Sequence, residues 1–273
     1  MANSIQVTIA GTTEQQTEIL IALLSEAGYE GFEEADQGLI AYIPEESWGE
    51  DSLKETLLPF GLDYSTSVIQ PRNWNAEWER DYEPVIVDDF VAVRAHFHQP
   101  NPTVVHEIII TPKMSFGTGH HATTWQMMKW MESMDFQSKT VFDFGTGTGV
   151  LAILAEKLGA AEVLAIDNDD WSIENTIENV ERNNGQKISV QKAEEPVGSR
   201  QFDIILANIN RHVLLQFMEQ MSKQLKPGGY LLISGFYADE NDILTDAAAV
   251  HQLQLLKGSE RHKWSSLMLQ KNQ

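Results

Sequence analysis

The sequence contains no cysteine. That excludes disulfides, thiolate metal sites and cysteine nucleophiles, and it fits a reducing, cytoplasmic setting. Basic residues are scarce: 19 Lys and Arg stand against 40 Asp and Glu, for a net charge of −21. Nucleic-acid binding through a basic face is therefore disfavoured, and a cationic partner is favoured. No stretch approaches the roughly 18 consecutive apolar residues of a membrane span, so no membrane association is expected. The opening MANSIQVTIA has no basic segment leading into an apolar run, so no secretory signal is expected. What is present is core material. The 273 residues are 42% hydrophobic, with 7 Trp and 11 Phe, which suits one large domain or two modest ones.

The acidity is uneven. Residues 1–70 hold one base, Lys54, against 13 acids, a net −12 in about a quarter of the chain. Such a face serves solubility, or it docks something basic. The same segment reads as β-α-β-β-α-β. IQVTIA (5–10) alternates as a half-buried strand does. Residues 14–27 carry Ile19, Leu20, Leu23 and Leu24 at helical spacing, with Thr12 or Thr13 as a cap and Gly28 as a stop. Strands at 29–35 and 38–43 flank a tight turn at Asp36-Gln37. A helix over 47–60 and a strand over 62–70 complete a ferredoxin-like domain.

Residues 71–112 read as a connector. NWNAEWERDYEP suggests a short helix with Trp74 and Trp78 on one face, and two strands follow, split by QPNPT. From 113 to 273, strands and helices alternate, predicting a doubly wound, mainly parallel α/β sheet closed by an antiparallel hairpin.

The strongest chemical signal is VFDFGTGTGVLAI (141–153). A strand enters Gly145, Gly147 and Gly149, and a helix leaves. Glycines there permit a tight turn and a close approach of backbone N–H groups to a ligand. Val150 stands where dinucleotide binders need their third glycine. G-x-G-x-G with a leading acid is typical of S-adenosylmethionine (SAM) sites. Asp167 ends the next strand, 22 residues after Gly145, where a carboxylate can accept both ribose hydroxyls of a nucleoside. Asn208 follows the strand FDIIL and faces the same crevice. Its carbonyl can hold an amine N–H; capping the helix near Arg211 is the other reading. In FGTGHHATT (116–124), Thr123 and Thr124 suit a helix cap. The His120-His121 pair has no third ligand nearby, so no metal is expected.

Together, FGTGHHATT, DFGTGTGVLAI, LAIDND, ANIN, LKPGG and SG resemble the ribosomal protein L-eleven methyltransferases, the PrmA family of class I SAM-dependent methyltransferases. The resemblance spans nearly the whole chain, including the NW…W connector and the late Trp264. It implies transfer of methyl groups from SAM to lysine side-chain and N-terminal amines of ribosomal protein L-eleven, to trimethylation. It also implies substrate recognition by the 1–70 domain. Motif matching puts cofactor contacts on Thr124, Gly145, Asp167 and Asn208, with Gly147 and Phe116 secondary and Asn208 also orienting the amine. Two departures stand out: Pro112-Lys113-Met114-Ser115 where the family has Pro-Gly-Met-Ala, and Asn208-Ile209-Asn210 where it has Asn-Ile-Leu.

Rival readings are an RNA, small-molecule or glutamine-amide methyltransferase, a non-catalytic binding module of the same fold, and a nicotinamide dehydrogenase. The net charge opposes RNA, the absence of Asn-Pro-Pro-Tyr opposes glutamine, the intact cofactor residues oppose a silent module, and Val150 opposes the dehydrogenase.

Overall fold

A computed structural model describes residues 3–35, 38–70, 79, 82–113, 116–196 and 198–273. The expected Asp36-Gln37 turn and the Trp74/Trp78 helix lie outside the described residues. Two compact units emerge, Met1–Asp81 and Tyr82–Gln273.

The first unit runs β1 (Ser4–Ala10), α1 (Glu14–Glu26), β2 (Gly31–Ala35), β3 (Gly38–Pro44), α2 (Glu50–Leu57) and β4 (Tyr64–Ile69). The antiparallel order is β2-β3-β1-β4. Alternation along β1 sends Ile5, Val7 and Ile9 into a core shared with Leu20 and Leu24 of α1 and Leu53 and Leu57 of α2. Of the two candidate caps, Thr13 is the one used. Its hydroxyl accepts the Gln16 N–H while the Gln16 carbonyl returns to the Thr13 N–H, closing a capping box.

The second unit begins with β5 (Val85–Val87), β6 (Val91–Ala95) and β7 (His106–Ile110). It continues with α3 (Ala122–Glu132), β8 (Thr140–Phe144), α4 (Val150–Lys157), β9 (Glu162–Asp167), α5 (Asp170–Arg182) and β10 (Ile188–Lys192). Then come β11 (Phe202–Asn208), α6 (Arg211–Lys223), β12 (Leu225–Tyr237), α7 (Asn241–Val250), β13 (Leu253–Arg261) and β14 (Trp264–Lys271). The seven-stranded sheet has the order β10-β9-β8-β11-β12-β14-β13. Strands β8 to β12 pair in parallel, and β14 runs antiparallel between β12 and β13. Apolar cores cover both faces, as the near-continuous apolar runs of the central strands require. Among the described residues, no helix is long and apolar enough to cross a membrane.

Strands β5 to β7 form a separate three-stranded sheet, and β6 and β7 pair in parallel rather than as the hairpin a short turn would make. This sheet is built into the second unit. Its Val91, Val93, Ile108 and Ile110 share a core with Met127 of α3 and Leu151 of α4. The free edge of β7 is satisfied by asparagine side chains of α5 and by that of Asn183, the residue that ends the helix. Asn183 accepts the Ile109 N–H at 3.0 Å and donates to the Ile109 carbonyl at 2.7 Å. Asn179 accepts the Thr111 N–H at 2.8 Å, and Asn175 donates to the Thr111 carbonyl at 3.1 Å. Spacing of four residues puts all three amides on one helix face, where they replace a neighbouring strand.

Candidate active site

The G-x-G-x-G turn sits at the carboxyl end of β8 and is pinned from three sides. The Gly145 and Thr146 N–H groups donate to the Ile166 carbonyl, at 3.0 and 2.9 Å. Thr176 of α5 donates its hydroxyl to the Gly147 carbonyl, and Asn179 donates its amide to the Thr148 carbonyl. The Thr148 N–H donates to the Phe116 carbonyl, and the Thr148 hydroxyl to that of Gly117, so the FGTG segment lies directly on the turn. Asp143, the acid leading the motif, is 1% exposed and does not line the cavity. Loss of hydration pushes its carboxyl up to about 7, and it accepts the Thr146 hydroxyl at 2.6 Å. Its place is beneath the turn, as a structural acceptor.

Gly147 has φ of +57°, and a Cβ there would stand 2.3 Å from the Phe116 carbonyl oxygen. Gly147→Ala is therefore expected to force FGTG off the turn. The left-handed backbone alone costs about 1–2 kcal/mol. Scanning calorimetry should show a lowered melting temperature, and titration with SAM a weakened affinity. A variant matching the wild type in both would show that the contact is dispensable.

A cavity of about 1090 Å³ opens over the carboxyl ends of β8, β9, β11 and β12. That is at the top of the roughly 300–1,000 Å³ of ordinary small-molecule sites, and it is where open α/β sheets bind ligands. Gly145, Gly147, Asp167, Asn208 and Phe116 all line it. The Asp167 carboxylate accepts the Gly147 N–H at 2.9 Å and the Asp169 N–H at 3.1 Å, which leaves lone pairs for further donors. The loop after β10 adds Glu194 and Glu195. Lys192 is drawn outward to Asp170 at 2.7 Å. Acids thus outnumber bases along the wall, which suits a cationic sulfonium.

Thr124 does not line the cavity. It is 1% exposed, and its hydroxyl accepts the Asn208 Nδ2–H at 3.1 Å. In this geometry it holds the Asn208 carboxamide, and its own hydroxyl proton is left able to donate. Asn208 is not the cap of α6. That cap is Asn210, which accepts the Val213 N–H at 3.2 Å and so gives a reason for asparagine at the third position of Asn-Ile-Asn. Relieved of capping, Asn208 Oδ1 is buried with no hydrogen-bond partner among the described residues. A buried unpaired carbonyl is costly unless a ligand supplies the donor.

Three features of the wall had little or no sequence signal. His121 caps α3 by accepting the Thr123 N–H at Nδ1, and burial lowers its pKa below the ordinary histidine value. Trp264, at the first position of β14, packs its ring 4.5 Å from that of His121, which in turn lies 5.4 Å from Phe116. Tyr237 flanks Trp264 at 4.3 Å. Gly235 lines the floor where a Cβ would meet the Ile209 carbonyl oxygen at 2.2 Å, so only glycine lets β12 pass this close to the Asn-Ile-Asn segment.

The glycine cradle, the strand-end carboxylate and the orphaned carbonyl suit a nucleoside-bearing methyl donor, and the sequence comparisons agree. Residues 4–272 match the family model for ribosomal protein L11 methyltransferase (PrmA). The chain is 41% identical over 264 residues to a ribosomal protein L11 methyltransferase of Porphyromonas gingivalis, covering 94% of this chain and 91% of that one. It is 42% identical over 237 residues to one of Chlorobaculum tepidum, covering 80% of each. Among solved structures it is similar to a ribosomal protein L11 methylase from Lactobacillus delbrueckii subsp. bulgaricus, with a TM-score of 0.65 and 30% identity, over 70% of this chain and 100% of that chain. A match of this length and identity establishes kinship: the chain belongs to the ribosomal protein L11 methyltransferase family and is a SAM-dependent methyltransferase.

Proposed function

We propose that this enzyme methylates amino groups of ribosomal protein L11, both lysine side chains and the N-terminal amine, through repeated rounds to trimethylation. The carrying observation is the Asn208 carboxamide. Its Nδ2 is held by Thr124, and its Oδ1, unpartnered among the described residues, is the atom offered to a ligand. A neutral amine has N–H groups to give that oxygen, and accepting one aims the nitrogen lone pair.

When bound, SAM supplies an activated methyl group on a sulfonium. In this assignment Asp167 holds the ribose hydroxyls, and Gly145 and Gly147 let the backbone approach closely. The attacking amine must first shed a proton, since an ammonium has no lone pair. Phe116, His121 and Trp264 make that side of the cavity apolar, which favours the neutral amine. His121 stays uncharged because burial lowers its pKa, and its Nδ1 is already engaged by Thr123. It therefore adds no positive charge beside two cationic reactants, and the proton leaves to solvent. Aromatic faces also attract methylated ammonium groups, which supports successive rounds on one amine. The direct test is intact-mass spectrometry of ribosomal protein L11 after incubation with enzyme and SAM. Increments of up to three methyl groups per amine are expected; an unmodified mass would refute the assignment.

The unit Met1–Asp81 is assigned to substrate recognition. Its helices turn acids outward, Glu14, Glu18 and Glu26 on α1 and Glu50, Asp51 and Glu55 on α2, against one base, Lys54. The recognition reading requires a basic partner, and opposite charge speeds encounter with one. Exposed charges are screened over a Debye length of about 10 Å at 0.1 M salt. Raising salt several-fold should lower kcat/KM for the protein substrate roughly tenfold, within the range of electrostatic steering, while SAM affinity barely moves. A salt-independent kcat/KM would reduce this acidity to a solvated face.

A further inference from the structure

Helix α3 does more than present His121 and fix Asn208 through Thr124. Two residues beyond Thr124, Gln126 is 2% exposed. Its Nε2 donates to the backbone carbonyl of Trp264 at 3.1 Å, and its Oε1 accepts the Ser259 hydroxyl at 2.8 Å. The network continues inward. Ser259 and Ser266 share a hydrogen bond at 2.8 Å, and the Trp130 indole N–H donates to the Ser266 hydroxyl at 2.7 Å. Each serine has one proton. The Ser266 hydroxyl also lies 3.3 Å from Gln126 Oε1, so whichever serine donates, both routes from Trp130 end on that oxygen, and the Gln126 Nε2 goes to Trp264. This direction sets the Gln126 amide. Flipped, its oxygen would face the Trp264 carbonyl, acceptor against acceptor.

The anchored carbonyl belongs to a residue whose backbone also pairs with Tyr237 of β12 and Arg261 of β13. Trp264 follows a two-residue turn in which His262 and Lys263 have φ of +52° and +70°. Just beyond it, opposite Ser265 and Ser266, the β12–β14 register shifts between Ser234 and Phe236. Side chains add to the ladder there, Gln126 at the Trp264 carbonyl and Ser234 at the Ser265 carbonyl, 2.7 Å away. We propose that Gln126 is a positioning residue for methyl transfer, which acts by fixing the Trp264 indole as the wall of the amine side of the cavity. The proposal rests on the assignment of that wall to the methyl acceptor. Gln126 touches neither reactant; it acts through Trp264.

The test measures kcat/KM for ribosomal protein L11, and SAM affinity by calorimetry, in Gln126→Leu, Trp264→Ala and the double variant. Leucine keeps the volume and removes all three side-chain hydrogen bonds. Gln126→Leu is expected to lower kcat/KM about tenfold or more, the scale of a small misplacement, with SAM affinity within about twofold of wild type. The double variant should be no worse than Trp264→Ala, because the two changes remove one function. Gln126→Glu adds a readout that plain structural support would not give. Buried at this site, the glutamic acid stays protonated and donates to Trp264 at neutral pH, then loses that donor as it ionises. Its rate relative to wild type should therefore fall as pH rises; a constant ratio counts against the proposal, and this variant decides alone if leucine prevents folding. Full activity of Trp264→Ala would overturn the acceptor-wall assignment itself. Loss in Trp264→Ala with none in Gln126→Leu would overturn only the role of Gln126. An equal loss of SAM affinity in Gln126→Leu would show general loosening of α3 and overturn it too.

Discussion

Replacing Asp167 with alanine is expected to weaken SAM binding by at least ten- to a hundredfold in a chain that still folds. The carboxylate ends β9, lines the cavity and accepts the Gly147 and Asp169 N–H groups. An ionised carboxylate has about four acceptor positions, so two remain for the ribose hydroxyls assigned to it. Losing hydrogen bonds to a charged group costs roughly 1.5–3 kcal/mol, which is the stated range in affinity. The substitution also unties Gly147, whose N–H helps hold the turn in shape, and that pushes the effect to the upper end. Folding should survive. Asp167 is only partly buried, water can reach the two freed N–H groups, and the turn keeps its bonds to Ile166, Thr176 and Asn179. Calorimetric titration with SAM, alongside circular dichroism, checks both halves. Wild-type affinity in a folded variant would remove Asp167 from the nucleoside site.

The parts of this molecule that were legible in its sequence are those governed by local rules. Alternation and helical spacing placed the elements of the front unit, and the strand–glycine–helix pattern placed the cofactor turn. The separation from Gly145 to Asp167 is one β-α-β step, so two adjacent parallel strands had to bring them together. What the sequence withheld are contacts between elements far apart in the chain. Trp264 was visible as a late tryptophan, but its contacts with His121 and with the Gln126 amide span well over a hundred residues. No periodicity reports a partner. Motif matching put Thr124 among the cofactor contacts; that its hydroxyl also accepts the Asn208 Nδ2–H, 84 residues away, is a contact no spacing reports. The parallel pairing of β6 and β7 was hidden for a related reason. A link over 96–105 looks like a hairpin turn, and the asparagine face of α5 that holds β7 in place is polar, so it reads as solvent-facing. The spacing of Asn175, Asn179 and Asn183 was the available clue.

Asn208→Ala should produce the opposite pattern to Asp167→Ala: turnover falls by roughly a hundredfold while SAM affinity changes only a few-fold. Asn208 is 8% exposed, and its Nδ2–H is held by the Thr124 hydroxyl. The other end, Oδ1, is buried without a partner among the described residues. An oxygen that receives its donor only when the amine arrives contributes little to holding cofactor. Its contribution falls on the reacting geometry, where the lone pair must line up with the breaking carbon–sulfur bond. Misalignment on the scale of an ångström costs about a hundredfold, or about 2.7 kcal/mol in the barrier. An interaction made chiefly in the transition state lowers kcat and kcat/KM together, whereas uniform binding would appear in KM alone. Thr124→Val tests the same geometry indirectly. Valine preserves the shape but leaves the Asn208 amide without an acceptor, so the carboxamide is free to turn its N–H toward the cavity. A smaller loss of turnover is expected, in the same direction and again with SAM affinity preserved. Steady-state kinetics on ribosomal protein L11 and calorimetry with SAM separate the cases. If Asn208→Ala lost affinity and kept turnover at saturating SAM, Asn208 would be a cofactor ligand, and orientation of the amine would have to come from elsewhere on the wall.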